Sequence, residues 1–483
     1  MSDPTCPGPT ILLSNQRTDG APLYVLLTAE PDNGGSGVSG LTGIAEGVVT
    51  PLGSIANATI GFETINSGRL YVGVGPFDNP PTPDGPTYFG WIEFSKKPSD
   101  TGVWINLSNV DLAGLPLALA GTTTEQKTFT MGYKEPMAPL TVSGTILNRL
   151  AALVPKSSPA IIQADSGQTK ILSPTLAPDL YRSFDPYRDA LCQATAALRI
   201  VSDTPEGEAP VDFRGSFMPA ATPSDVAVHL TDPNGKALTI TQENLTSSII
   251  YACDGGYLTY GGVVYPQNRT DGSADAVITN STFRNLMIGF NEGYFSPGGL
   301  NDSTQFPGQV PFATGAGNPF AEVIHDTSNS YGFPYADSNL KVLLTADPNR
   351  LITLTILDDD KAGGYSPDPG GAQSNQPQSG AYSFGIGAGS AALGEIRIGN
   401  WVYLPTSAGS YGGYFPDLPD WTKMTFAGAG DNAYIWVRNG DIDQGACLTA
   451  QADWETLDNG VKNAAWPANL AWVPGANPPD KPA

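Results

Sequence analysis

Between residues 10 and 137, apolar and polar side chains alternate in short runs separated by turn-forming clusters. Examples are Thr10-Ile11-Leu12-Leu13, Leu23-Tyr24-Val25-Leu26-Leu27, Ala58-Thr59-Ile60-Gly61-Phe62 and Arg69-Leu70-Tyr71-Val72-Gly73-Val74. A period of two gives each strand one apolar face, and strands at this spacing predict a sandwich or barrel. Near residue 143 the period lengthens. Ile146, Leu147, Leu150, Ala151 and Val154 share one helix face, and Asp185-Pro186 opens a second helix with Ala190, Leu191, Ala194, Ala197 and Leu198 apolar. Further helices are predicted over 245–253 and 276–290, and strands again over 320–325 and 351–356. Residues 361–380 are rich in Gly, Pro, Ser and Gln and read as a linker. Beyond it lie Trp401, Trp421, Trp436, Trp454, Trp466 and Trp472, with strand-like runs at 394–398, 423–426 and 434–437.

Composition narrows the possible partners. Charged residues are 15% of the 483, and 24 Lys and Arg face 47 Asp and Glu, a net charge of -23. That balance argues against nucleic acid, anionic membranes and anionic polysaccharides, whereas a neutral polymer carries no such penalty. No apolar run reaches membrane-spanning length. The start, Met1-Ser2-Asp3-Pro4-Thr5-Cys6, lacks the basic and apolar regions of a signal peptide, so the chain is read as cytosolic or as a mature secreted form. Cys6, Cys192, Cys253 and Cys447 show no zinc spacing. Their even number leans towards two disulfides, Cys192 with Cys253 and Cys6 with Cys447, and towards an oxidising compartment. The alternative is four buried thiols.

Two acids stand inside strand-like apolar runs, Glu93 in Trp91-Ile92-Glu93-Phe94 and Asp111 at the end of the run that begins at Trp104. The polar stretch from Ser95 to Gly102 joins the runs as in a hairpin. Acids are costly to bury without a reason, and two carboxyls facing one cleft are the minimum equipment for acid–base work on an acetal. The plain alternative is that Glu93 is a hairpin-surface carboxylate and Asp111 caps a turn before Gly114. Parity poses a problem: strict alternation puts Trp104, Asn106 and Ser108 on one face and Asp111 on the other. Either a bulge intervenes near Asn109 or Val110, or Asp111 lies past the strand end. Trp104 is the candidate platform for a sugar ring; Asn106, Ser108 and Ser95 are candidates for its hydroxyls; Tyr71 reads as packing. His229 and His325 have no nucleophile elbow to serve, and Asp358-Asp359-Asp360 lacks calcium-loop spacing.

The segments Ser67-Gly68-Arg69-Leu70-Tyr71, Trp91-Ile92-Glu93-Phe94, Trp104-Ile105-Asn106-Leu107-Ser108-Asn109-Val110-Asp111, Gly114-Leu115-Pro116, Ile171-Leu172-Ser173-Pro174, and Asn318-Pro319-Phe320 through His325-Asp326 to Tyr331-Gly332-Phe333-Pro334-Tyr335 occur in order. On them, residues 10 to 357 resemble glycoside hydrolase family 64, β-1,3-glucanases with a thaumatin-like barrel domain. The resemblance implies a mainly β fold: a barrel or sandwich domain and a mixed α/β domain forming a crescent with an open groove. The expected organisation is 1–140 and 313–360 for the β-barrel, 141–312 for the α/β domain, 361–380 for the linker, and 381–483 for a β-rich extension. It also implies inverting hydrolysis of β-1,3-glucan to linear oligosaccharides, with Glu93 as general acid and Asp111 as general base. Their spacing is two residues longer than the family form, which the Lys96–Thr101 loop can absorb. A secreted monomer without cofactor, acting on β-1,3-glucan, is expected; the alternative is a thaumatin-like glucan-binding protein without turnover.

Overall fold

The computed structural model describes residues 8–366 except 32–36, 206, 270–271, 300, 309–310 and 336–342, and beyond these only strand segments between 381 and 448. The chain divides into two compact units, Met1–Glu125 with Phe129–Gly370, and Gln126–Thr128 with Gly371–Ala483.

In the first unit the alternating runs become two sheets that share a core. One is antiparallel, in the order Leu344–Ala346, Val103–Ser108, Tyr88–Lys96, Thr64–Val74, Leu23–Thr28 and Thr50–Pro51. Its inward set includes Val25, Leu27, Leu70, Val72, Ile92, Phe94, Val103, Ile105 and Leu107, all buried. They pack into one cluster with Ile11, Leu13, Leu117, Leu119, Ile352, Leu354 and Ile356 of the second sheet. There the strand Thr10–Asn15 pairs in parallel with Leu351–Ile356, so the chain returns after some 340 residues to the place where it began. Each such side chain contributes roughly 1.5–3 kcal/mol by leaving water. A one-residue slip would expose the whole set, which is what fixes the register.

The mixed region builds a seven-stranded sheet in the order Val263–Pro266, Tyr257–Tyr260, Ala237–Thr241, Val226–Thr231, Val211–Phe217, Ala197–Ser202 and Asn301–Asp302. Its helices are α1 (Ile146–Ala151), α2 (Asp185–Gln193), α3 (Ser247–Ala252) and α4 (Ala274–Asn291). Side chains of Thr145, Thr246 and Ser273 cap α1, α3 and α4 by accepting from backbone N–H groups of the first turn. A three-stranded sheet of Ile161–Gln163, Thr169–Leu172 and Leu112–Ala113 completes the unit's sheets.

Two elements differ from the sequence pattern. Residues 320–325, read as a strand, lie in a helix, α5 (Pro319–Thr327). Asn318 caps it by accepting from Phe320 and Ala321 N–H, proline occupies the first turn, and Phe320, Ala321, Val323, Ile324 and Thr327 form its buried face. Helix α2 stops at Gln193, and Thr195 takes a left-handed φ of 46°, so Ala197 and Leu198 fall in the next strand.

The expected Cys192–Cys253 disulfide is absent: both thiols are free and buried. Cys192 packs from α2 towards the Ala227 carbonyl, while Cys253 sits at the left-handed cap of α3 with its sulfur on the carbonyls of Ile250 and Pro334. Burial raises both thiol pKa values above the ordinary range, which makes them unreactive. The second expected pair, Cys6 with Cys447, lies outside the described residues.

Residues 361–366 of the expected linker are described, and Gly363 exchanges backbone hydrogen bonds with Tyr133. The second unit is β-rich: Ser410–Tyr414, Ala381–Ile386, Ile435–Asn439 and Cys447–Leu448 form one sheet, and Trp401–Tyr403, Ile396–Ile398 and Thr425–Phe426 another.

His325, on α5, lies between Phe312, stacked at 5.8 Å, and Phe333. Its Nε2 is enclosed without a hydrogen-bond partner. Burial lowers its pKa from 6.5 to about 3. Between those two values the unfolded chain binds a proton that the folded chain does not, so stability falls as pH drops through this window. His325→Phe should remove that loss, on the order of 5 kcal/mol across the whole window. Urea midpoints at neutral and acidic pH check this; wild type and variant losing stability in parallel would contradict it.

Candidate active site

The outer face of the first sheet is divided by the residues its strands present. In the Glu93 strand (Tyr88–Lys96) the outward set is Phe89, Trp91, Glu93 and Ser95, because Ile92 and Phe94 point into the core. Cross-strand register continues each position sideways. Trp91 stands opposite Tyr71 and Ser108; Glu93 stands opposite Arg69 and Asn106; Ser95 stands opposite Trp104. The apolar end is covered: Tyr71, Phe89 and Trp91 pack with Leu26, Val110, Leu112, Ala160 and Leu172, partly from the three-stranded sheet. The polar end is open. It forms a cleft of about 340 Å³ whose lining includes Arg69, Glu93, Ser95, Trp104, Asn106 and Tyr331.

A bulge shapes this end. The register shifts between Ile65 and Gly68, and Ser67 adopts a left-handed φ of 46°. Ser67 N–H donates to Ser95 Oγ at 2.9 Å. A Cβ at position 68 would stand 2.3 Å from Ile65 Cδ1 and 3.1 Å from the Phe94 carbonyl oxygen, so a larger residue there would push the Ile65 side chain aside.

Asp111 reaches the same face by leaving the strand. The Trp104 strand ends at Ser108, and Asn109, Val110 and Asp111 form a turn before Leu112–Ala113. This satisfies the second of the two parity solutions. Asn109 is the pin of the turn. Its Nδ2 donates to the Leu112 carbonyl at 3.1 Å, while its Oδ1 accepts from Tyr133 Oη at 3.0 Å and Ser330 Oγ at 2.6 Å. Its backbone N–H donates to Tyr331 O at 2.8 Å, and Tyr331 N–H donates back to Leu107 O at 2.9 Å. From the other side Ser173 N–H donates to the Asp111 carbonyl at 2.8 Å, and Ser173 Oγ donates to Val110 O.

The acids sit in different surroundings. Glu93 Oε1 accepts from Trp91 Nε1 at 3.2 Å and lies 3.3 Å from Arg69 Nε. Asp111 has its pKa raised by burial; Arg69 opposes the shift and the charge of Glu93 adds to it. Arg69 is thus within electrostatic reach of both carboxyls.

Of the residues singled out from the sequence, Glu93, Ser95, Trp104 and Asn106 line the cleft. Trp104 is 45% exposed, as a stacking platform requires. Asn106 is 4% exposed, and its Oδ1 has no hydrogen-bond partner. Ser108 is buried, and its Oγ faces Val110 N–H at 3.5 Å, so it supports the turn rather than lining the cleft. Asp111 is also outside the cleft lining, beside it. Sequence reasoning missed Arg69 and Asn109. Arg69 stood in a quoted segment, and a strand-parity count across the hairpin would have paired it with Glu93; Asn109 carried no signal, because its partners are distant in the chain.

Asn109→Ala should cost about 1–3 kcal/mol, since two buried hydroxyls and a carbonyl each lose a hydrogen bond. Urea unfolding measures this, and a loss under half of one kcal/mol would show that the turn is held by other contacts.

Residues 55–349, more than half of the chain, match the glycoside hydrolase family 64 model, described as β-1,3-glucanase. No curated protein matches the chain. Among solved structures, a laminaripentaose-producing β-1,3-glucanase in complex with laminaritetraose is similar with a TM-score of 0.53 and 19% identity, over 74% of this chain and 100% of that one. A family 64 β-1,3-glucanase domain from Clostridium beijerinckii gives a TM-score of 0.46 and 16% identity, over 73% of this chain and 99% of that one. The family match spans both the sheet that carries Glu93 and the mixed α/β region, and on that extent the chain belongs to glycoside hydrolase family 64, the β-1,3-glucanases.

Proposed function

We propose that this glycoside hydrolase cleaves β-1,3-glucan with inversion, Glu93 acting as general acid and Asp111 as general base. The observation that carries this reading is the approach of both carboxyls to one guanidinium, Arg69, at the edge of a cleft that exposes Trp104. Glucan ring faces would stack on Trp104, with Ser95 and Asn106 meeting hydroxyls. Glu93 would protonate the departing glycosidic oxygen while Asp111 takes a proton from water attacking the opposite face of the sugar. The raised pKa of Asp111, caused first by burial, makes it a stronger base than an ordinary aspartate. Linear laminari-oligosaccharides would leave the cleft.

Laminaritetraose bound to the similar solved enzyme supports a β-1,3-glucan as the substrate. Secretion is part of the same proposal: the substrate is a polymer that does not enter cells, and the net charge of -23 does not oppose a neutral polysaccharide.

Glu93→Gln and Asp111→Asn should each lower kcat at least 100-fold while laminarin binding persists. Reducing-sugar release and affinity electrophoresis check this; either variant keeping more than a tenth of wild-type kcat would remove that residue from the chemistry. The first reducing ends, followed by proton NMR before mutarotation, should be α-anomers, and initial β-anomers would mean retention.

A further inference from the structure

The cleft has an end that the proposed chemistry does not use. Its lining there includes Glu30, two residues past the strand Leu23–Thr28. We propose that Glu30 is a specificity-determining residue: its carboxylate accepts hydroxyls of a glucose unit that lies on the other side of the cleaved linkage from Trp104. The inference rests on the proposed role of Glu93, and it turns a cleft with one sugar platform into a path with two ends.

Strand order gives the path its direction. The sheet runs from the Trp104 strand through the Glu93 strand and the Arg69 strand to Leu23–Thr28. Thr28 stands opposite Arg69, and Arg69 opposite Glu93, so the three share the outer face. Two residues beyond Thr28, Glu30 N–H donates to Asn66 O at 3.0 Å, which continues the pairing past the strand end. Trp104 and Glu30 both line the cleft, and the Glu93 strand lies between theirs. Three strand spacings separate them, roughly 14 Å, which is more than a single sugar ring spans.

Two features mark Glu30 as a group for a ligand. First, its backbone is held and its carboxyl is not. Asn66 takes the Glu30 N–H and returns its own Nδ2 to the Glu30 carbonyl at 3.3 Å, so the main chain is fixed from one side. The residue is exposed, and its carboxyl makes no hydrogen bond or ion pair with a described residue. Second, Arg69, the one cation among the described residues lining the cleft, is engaged by Glu93 and Asp111. Both oxygens of Glu30 are therefore left for donors that a ligand brings. A carboxylate accepts from hydroxyls more strongly than a neutral acceptor does. Each unit of a β-1,3-glucan carries free hydroxyls and no charge, whereas a glucan bearing acidic groups would be repelled at this point. Glu30 lies two strands from Glu93, with the Arg69 strand between, and so binds substrate without joining the acid pair.

Kinetics on substrates of graded length test this. Wild type, Glu30→Gln and Glu30→Ala are compared on linear β-1,3-gluco-oligosaccharides of increasing length, and on neutral and carboxymethylated forms of the polymer. The ratio of kcat/KM for long over short oligosaccharides should fall about tenfold in Glu30→Ala, because only the long ones reach position 30. Glu30→Gln should narrow the preference for neutral over carboxymethylated glucan, because an amide does not repel the added charge. Loss in equal proportion on every substrate would mean a structural role and would overturn the proposal. So would a length profile or a charge preference unchanged from wild type. The side chain is exposed, so both variants should fold, and thermal melting checks that they do. Glu93→Gln assayed alongside reports on the proposed function by itself: turnover that survives there removes the acid assignment, whatever the Glu30 profiles show.

Discussion

The register of three adjacent strands is the constraint on which the site depends. Because Ile92, Leu70 and Ile105 must stay in the core, Glu93, Arg69 and Asn106 must stand in one row on the opposite face. The next row, Tyr71, Trp91 and Ser108, is covered, and coverage of that row leaves the Glu93 row as the open margin. The cleft is therefore a by-product of core packing on the other side of the sheet. A side chain on such a sheet has little freedom to wander, which suits groups that must meet a substrate in one geometry.

The turn that carries Asp111 obeys a different constraint. It follows the strand end, where alternation no longer dictates direction, and it is held by hydrogen bonds to Tyr133, Ser330, Tyr331 and Ser173. Two of these partners follow helix α5, so the segment near 330 shapes the site although it is over two hundred residues from Asp111 in the chain. The two carboxyls are consequently supported in unlike ways, one by a sheet and one by a buried polar network in which both the oxygen and the nitrogen of the Asn109 amide are hydrogen-bonded.

Much of this was legible in the alternating runs. They placed the Glu93 and Trp104 strands side by side, and the parity conflict at Asp111 called for either a bulge near Asn109 or Val110 or an Asp111 past the strand end, of which the second is found. The helix over 320–325 was not legible, because a run as short as Phe320-Ala321-Glu322-Val323-Ile324 does not separate strand from helix by periodicity, while the capping Asn318 and Pro319 carry the true signal. The Cys192–Cys253 pairing failed because chain position does not report where two sulfurs point. Arg69 lay within reach of a register count, whereas the Asn109 network depends on long-range contacts that no local pattern encodes.

In the proposed mechanism Glu93 and Asp111 address opposite sides of one glycosidic linkage. A crystal structure of Glu93→Gln protein with a laminari-oligosaccharide spanning the cleft tests it most directly. The expected complex has a sugar stacked on Trp104, the glycosidic oxygen about 2.6–3.2 Å from the side chain at position 93, and a water held between Asp111 and the anomeric carbon, with the two carboxyl positions about 6.5–9.5 Å apart. An oligosaccharide bound elsewhere, or Asp111 directly against the anomeric carbon with the pair about 5–5.5 Å apart, would contradict it.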